Sequence, residues 1–492
     1  MKSPDFSQFQ RRWKVGATTV SLLLMLVFLV SLFVRRFNGD EGIIGEWAFW
    51  LANVGEARSM LYYSYFGEKA LSLPIYHKFY TILLALIIKL LGFEPFFLRL
   101  ISLFSFVGVV WLSKVYLKQN RLTAFSLPIL IGLYLTQSLW FNFAFVARPE
   151  LMMAFLALSV FVLLKQYSVR RHWKWALFAG LVSGLSFYTH LNGLSVIAAG
   201  GLFLVFRFQW KAVLAYGFSA FLVASLFVLD VPGNYLGLLH ELSQAPDVEN
   251  SSFSPTRLLM KLLTEHERFF HNAGLAIFSL TTLLSLVFTW KHQKKQNADL
   301  LIFTALLVIS LSLLTHGKTP KYLLFYMPFM ALIILHALLF LFSVQSKKKI
   351  LVISIFLLAG AVISVVDYTK EYPYFVKVKA RNQAMADKMN TGKAVLAHNG
   401  FVFGQIENFE IRSPIIFFFT HDGFAENDQE DRLEYLTFAH EKGYDYVAID
   451  MILERKEIRN FVLFQQLKIG DTLAGFELAY KDSDFLIFKH LD

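Results

Sequence analysis

The 492-residue chain contains no cysteine. That excludes a disulfide framework, a thiolate nucleophile and a cysteine-ligated zinc, and it removes redox chemistry as a guide to compartment. Charge is scarce too: Asp, Glu, Lys and Arg make up 17%, against about 25% in soluble domains. No repeat or low-complexity segment is present. There is no Walker loop, HExxH, GxSxG or dinucleotide fingerprint. A nucleotide-sugar or ATP-driven reaction therefore has no support, and a donor embedded in the membrane fits better.

What is abundant is apolar surface. Hydrophobic residues make up 56%, and the aromatics, led by 52 Phe, 16%. This excludes a disordered chain, a fibrous protein and a conventional cytosolic enzyme, and it points to a polytopic membrane protein. A net charge of +11 would suggest nucleic acid in a soluble chain. Here the basic residues fill short gaps between apolar runs, the pattern of charge that sets membrane topology, and no nucleic-acid partner is expected.

Arg11, Arg12 and Lys14 precede an apolar run over 15–34. It is about 20 residues long and lacks a small-x-small cleavage site, so it reads as an uncleaved first transmembrane helix. Further runs lie near 96–117, 122–141, 150–167, 173–189, 191–207, 212–229, 273–290, 299–315, 322–342 and 350–366. Every second gap is basic: Lys118 with Arg121; Lys165 with Arg170, Arg171 and Lys174; Arg207 with Lys211; Lys291, Lys294 and Lys295; and Lys347 to Lys349. With the N-terminus inside, these gaps are cytoplasmic. The order holds only if the apolar stretch 75–91 does not cross, so it is expected as a juxtamembrane or re-entrant helix. The stretch 46–57, with Trp47, Trp50 and Leu51 on its apolar side, is expected as another interfacial helix.

The expected fold is thus an all-α polytopic membrane domain over 1–366, with about eleven crossings and interfacial helices. Its outer loops are 35–95 and 230–272, the second ending in a short helix at 256–270. After 367, hydrophobic density falls and charge rises. Short apolar runs at 394–397, 414–419, 446–449 and 485–488 alternate with charged stretches such as 428–442. Residues 367–492 read as a small extracytoplasmic α/β domain.

Candidate chemistry gathers on the outer face. Asp40 and Glu41 follow the first helix and are the catalytic candidates. Asp40 reads either as a helix cap, with Glu41 in the first turn, or as a general base fixed at the membrane boundary. Arg148 and Glu150 flank Pro149 at the outer end of a later helix, where the guanidinium can clamp a phosphate. His190 lies in a tight outer turn. Lys318, Lys321 and Tyr322 occupy another outer turn, where lysines run against the topology rule and a lipid phosphate would explain them. Arg99, inside an apolar helix near its outer end, needs a carboxylate or headgroup. His77 and Lys78 open the juxtamembrane stretch and join the substrate-binding candidates.

In order, Asp40-Glu41-Gly42, Leu73-Pro74-Ile75-Tyr76, Leu98-Arg99-Leu100-Ile101-Ser102, Ala147-Arg148-Pro149-Glu150, the glycine-rich 180–193 and Lys321-Tyr322-Leu323-Leu324 with Pro328 resemble the GT-C glycosyltransferases. The likeness is to the bacterial branch related to dolichyl-phosphate-mannose protein mannosyltransferases and lipid A aminoarabinose transferases. It implies a polyprenyl-phosphate sugar donor, a lipid, glycan or protein acceptor in the periplasm, and a location in the inner membrane. By that analogy Asp40 deprotonates the acceptor and Arg148, Lys318 or Lys321 stabilises the leaving phosphate. Some branches use a divalent cation and others do not. Two positions depart from the pattern: Leu73 and His190 stand where aminoarabinose transferases carry lysines. A flippase, exporter or polymerase of lipid-linked saccharides is the alternative reading.

Overall fold

The computed structural model describes residues 4–72, 77–119, 127–229, 255–315, 318–371, 376–420, 430–454, 464 and 466–491. Among them, six helices are long and apolar enough to cross a membrane: Asp5–Ser31, Pro95–Gln119, Glu150–Arg170, Trp210–Phe227, Ala273–Gln296 and Lys347–Lys370. Shorter apolar helices, Trp173–Thr189, Leu194–Phe206, Ala298–Leu314 and Met327–Ser343, occupy other expected crossings. The chain is a multi-pass membrane protein. On the Trp210–Leu229 helix, Leu214, Phe218 and Phe221 are 68–74% exposed; their i, i+4, i+7 spacing marks one lipid-facing stripe.

The run 122–141, expected as one crossing, is broken. Helices Leu127–Leu135 and Ser138–Phe143 flank Gln137, which is extended and whose side chain caps the second helix by accepting the Trp140 amide at 2.9 Å. The glycine-rich 180–193 has a packing explanation. A Cβ at Gly180 would lie 2.0 Å from Ser219 Oγ, and one at Gly184 would lie 2.5 Å from the Ala220 carbonyl. Small residues let these two helices approach backbone to backbone.

α1 (Pro4–Ser31) leads into α2 (Gly39–Val54). α2 begins seven residues before the expected interfacial helix and is no surface helix: Ile43, Ile44, Trp47, Ala48 and Phe49 are all buried. Its sequence is apolar almost all round, which fits a helix enclosed on several sides. The stretch expected at 75–91 forms a helix, Lys78–Leu91, packed on α2; residues 73–76 lie outside the described residues. Its 14 residues extend about 21 Å, too short for a hydrocarbon core of about 30 Å. The outer loop at 230–254 also lies outside the described residues, and the short helix expected at 256–270 is split into Pro255–Leu263 and His266–Phe269.

The C-terminal domain is a mixed six-stranded sheet of β1 (Ala394–Ala397), β2 (Glu410–Arg412), β3 (Tyr446–Asp450), β4 (Thr472–Leu473), β5 (Phe476–Lys481) and β6 (Phe485–His490). The order is β2-β1-β3-β6-β5-β4, with β1 parallel to β2 and β3 and the other pairs antiparallel. The apolar run 414–419 is not a strand; Ile415–Thr420 is helical. Side chains alternate across the sheet. Leu396, Val447, Ile449 and Phe488 pack with Tyr435, Leu436 and Phe438 of the Glu430–Glu441 helix. Val395, Ala397, Tyr446, Ala448 and Ile487 join a core continuous with the membrane helices. Ser413 donates its amide to the Leu61 carbonyl at 2.9 Å, and the Arg412 guanidinium lies 4.9 Å from the Tyr63 ring centre. The C-terminal domain therefore sits directly on the first loop.

Candidate active site

The site begins at a helix cap. Asn38 is extended, its Oδ1 accepts the Asp40 amide at 3.1 Å, and Glu41 accepts the Asn38 amide at 3.0 Å. This is a capping box. The cap is Asn38, two residues before Asp40, so the Asp40 carboxylate is not spent on the helix end.

Glu41 is fully buried and both its oxygens are occupied. Oε1 accepts Arg99 Nε at 2.7 Å and the Ala147 amide at 2.8 Å, while Oε2 accepts a second Arg99 nitrogen at 2.7 Å and the Asn38 amide. Ser102 adds another tie, donating to the Val146 carbonyl at 2.6 Å. Together these bonds clamp α2 to the Pro95–Gln119 segment and to the turn before Glu150. Arg99 thus reaches a carboxylate, and the buried pair holds the segment that carries Arg148.

Arg148 holds two carboxylates. Its Nε lies 3.1 and 3.2 Å from the Glu150 oxygens and one terminal nitrogen lies at 2.6 Å, while the other terminal nitrogen pairs with Asp40. Arg148 and Glu150 are buried, whereas the Asp40 side chain is 41% exposed. Lys321, in the turn Pro320–Phe325, places Nζ 3.8 Å from Asp40. Burial, and secondarily the neighbouring Arg148, push the Lys321 ammonium below its ordinary pKa, against the opposing pull of Glu150. Three segments distant in sequence thus bring one half-exposed carboxylate between two cations.

An aromatic wall adjoins this cluster. The His77 and His190 rings stack at 4.7 Å, and Tyr322 meets His190 edge-on at 5.8 Å. His190 Nδ1 accepts the Asn192 amide at 3.0 Å, which puts the proton of the neutral ring on Nε2. Burial lowers the His77 pKa to about 4. Burial, followed by the adjacent His77, holds His190 well below the ordinary value as well. Both rings are neutral near pH 7 and serve as polar walls, not as charges.

Two lysines lie elsewhere. Lys318 bonds Glu265 at 2.7 Å and Ser312 at 3.3 Å. Lys78 donates to the Phe227 carbonyl at 2.7 Å, closing the end of the Trp210–Leu229 helix. The sequence does not single out the partner of Lys318: Glu265 and Arg268 lie in the stretch expected only as a short helix at 256–270. Both are buried. Tyr326 donates to Glu265 at 3.1 Å, and the Arg268 guanidinium sits 5.8 Å from the Tyr322 ring centre. Asn399, to which the sequence assigns no firm functional role, makes a packing contact. A Cβ on Gly42 would lie 2.1 Å from its carbonyl oxygen, so the C-terminal domain touches α2 two residues from Asp40.

Arg148 and Lys321 already engage the Asp40 and Glu150 carboxylates, and no group of three or more His, Asp and Glu is arranged for a metal among the described residues.

No protein family and no curated sequence matches the chain. Its fold does have solved counterparts. ArnT from Cupriavidus metallidurans in the apo state superposes with a TM-score of 0.58 at 11% identity, covering 97% of this chain and 98% of that one. The same protein bound to undecaprenyl phosphate gives 0.57 at 12% identity, covering 97% of each. AglB from Archaeoglobus fulgidus, an oligosaccharyltransferase in complex with an inhibitory peptide and a dolichol-phosphate, gives 0.55 at 12% identity over 90% of this chain and 70% of that one. Both proteins are of the GT-C superfamily, and the chain has the GT-C fold: a helical membrane domain carrying a small C-terminal domain with strands.

Proposed function

We propose that the chain is an integral-membrane glycosyltransferase of a bacterial inner membrane. It moves a sugar from a polyprenyl-phosphate donor to a lipid, glycan or protein acceptor on the periplasmic face, with Asp40 as general base. The convergence of Asp40, Arg148 and Lys321 carries this reading. It is supported by the fold shared with proteins seen with undecaprenyl phosphate and dolichol-phosphate.

In the free protein the two cations hold Asp40, and a carboxylate so held is a weak base. The donor phosphate competes for the same guanidinium and ammonium. On binding it draws Arg148 and Lys321 to itself and releases Asp40 toward the acceptor. Asp40 then takes the acceptor hydroxyl proton and the oxygen attacks the anomeric carbon from the face opposite the phosphate. The carbon–oxygen bond to phosphate breaks, its electron pair stays on the phosphate oxygen, and the configuration inverts. Arg148 and Lys321 stabilise the phosphate charge as it grows, so no step is assigned to a metal.

The test is sugar transfer, or slow donor hydrolysis, by purified full-length protein in detergent with a polyprenyl-phosphate sugar. Asp40→Asn is expected to lower the rate by about 10²–10⁴-fold while eluting as wild type, and a chelator is expected to leave wild-type activity unchanged. Near-normal turnover by Asp40→Asn would remove this residue from the mechanism. Lipid movement across liposomes without any chemistry would make the protein a carrier.

A further inference from the structure

Lys165 lies fifteen residues after Glu150 on the Glu150–Arg170 helix, about 22 Å along its axis. At this far end a polar cavity of about 360 Å³ is lined by Lys165, Arg171, Arg207, Tyr167, Gln209 and Asp299. It shares no lining residue with the candidate active site.

Cations at a membrane boundary ordinarily spread into water as topology markers. Here they are gathered and held. Lys165 Nζ bonds one Asp299 oxygen at 2.8 Å and Arg207 bonds the other. Gln209 accepts the Tyr167 hydroxyl at 3.0 Å and donates to the Arg207 carbonyl at 3.0 Å, fixing the backbone that carries Arg207. Arg171 closes the helix in a left-handed conformation, φ 55°, and completes the wall. Three cations against one carboxylate leave the cavity short of two negative charges, and Arg170, Lys174 and Lys211 follow in the adjoining turns.

The surroundings indicate what supplies that charge. Phe206, Phe208, Trp173 and Trp210 flank the lining residues in sequence and are 53–77% exposed. Exposed aromatics at the end of membrane helices mark the headgroup level. A phosphate reaching this cavity with its apolar chains against those rings satisfies both features.

We propose that this cavity binds the phosphate of an anionic phospholipid in the leaflet opposite the candidate active site. Arg207 offers the phosphate a planar fork and Lys165 a point charge, and Asp299 keeps both in place while the site is empty. A basic pocket between helices on the cytoplasmic side is suited to an anionic headgroup. The proposal stands whether or not the glycosyltransferase reading holds.

The test uses delipidated full-length protein in neutral detergent, with native mass spectrometry and thermal unfolding as readouts. The probes are phosphatidylglycerol, phosphatidylcholine with the same chains, and inorganic phosphate. Phosphatidylglycerol is expected to bind and raise Tm, with phosphatidylcholine at least tenfold weaker and inorganic phosphate weaker still. The double variant Lys165→Gln, Arg207→Gln should bind phosphatidylglycerol at least tenfold less tightly, and Arg207→Lys, which keeps the charge and loses the fork, should fall between it and wild type. Arg171→Gln, at an exposed position, should weaken binding severalfold and serves if the double variant does not fold. Equal binding of both lipids, or wild-type affinity in the variants, would overturn the site. Inorganic phosphate binding as tightly as phosphatidylglycerol would overturn the lipid assignment.

Discussion

Arg148 is the residue on which the site turns, because one guanidinium serves Asp40 and Glu150 at once. Lysine offers a point charge and cannot bridge both carboxylates. Arg148→Lys should raise donor KM and lower kcat, each by roughly tenfold, as expected of an interaction used in binding and strengthened in the transition state. It should also destabilise the protein, since buried Glu150 loses its bidentate partner, and breaking a buried pair costs about 3–5 kcal/mol. Adding Glu150→Gln should recover part of the Tm and none of the activity; recovery of both would make Arg148 structural only. Lys321 gives a pH test. Its lowered pKa means that its positive charge is lost earlier than usual as pH rises, so the alkaline limb of activity should shift upward in Lys321→Arg. An unchanged limb would exclude Lys321 as its source. Asp40, Arg148 and Lys321 were legible in the sequence because isolated charges beside apolar runs are costly and need a reason. Glu265 and Arg268 were not, since charges in a loop look the same whether they are solvated or folded inward.

At the scale of elements, α2 decides whether Asp40 is held in place. It is enclosed by the Lys78–Leu91 helix on one side and the C-terminal domain on another. The closest approach is Gly42, where an added Cβ meets the Asn399 carbonyl oxygen at 2.1 Å, with backbone on both sides of the clash. Gly42→Ala should therefore cost about 1–3 kcal/mol, the usual range for overpacking. It should also raise hydrogen exchange in 39–54 and 398–413 together. Exchange rising in only one of these segments would show that the contact does not couple them. The place of the helix after the first crossing was legible, since a polar run must open it. Its burial differs from the interfacial helix expected at 46–57, because Ile43, Ile44, Trp47, Ala48, Phe49 and Leu51 leave no polar face. The break at Gln137 had a signal of its own, three polar residues from Thr136 to Ser138 inside an apolar run. In the C-terminal domain, 394–397, 446–449 and 485–488 emerge as strands, whereas 414–419 becomes helical after Ser413 turns onto the first loop.

Across the whole molecule, the apolar runs mark the membrane helices, whereas domain docking has no such mark in the sequence. Docking is made by backbone carbonyls, glycines and Ser413, which leave no compositional trace. Two buried titratable groups lie at this junction. Glu46 accepts the Leu61 amide at 3.1 Å, and burial, opposed by that bond, raises its pKa to about 8. His398 lies 6.5 Å from Phe37 and 6.3 Å from Phe401, and burial lowers its pKa to about 4, with Asp450 opposing and Arg381 adding to the shift. The signs follow from proton counting. Folded Glu46 keeps a proton that the unfolded chain has released, so its contribution is lost as pH rises from its ordinary 4.5 to about 8. Folded His398 lacks a proton that the unfolded chain has taken up, so its contribution is lost as pH falls from its ordinary 6.5 to about 4. The slopes oppose each other on the acid side and only that of Glu46 remains above pH 6.5. Hydrogen exchange across the junction should thus slow in Glu46→Gln relative to wild type from pH 6.5 to 8. In His398→Phe, which keeps a ring between Phe37 and Phe401, the acid-side opening should flatten. If wild type and His398→Phe open in parallel as pH falls, the imidazole does not govern docking.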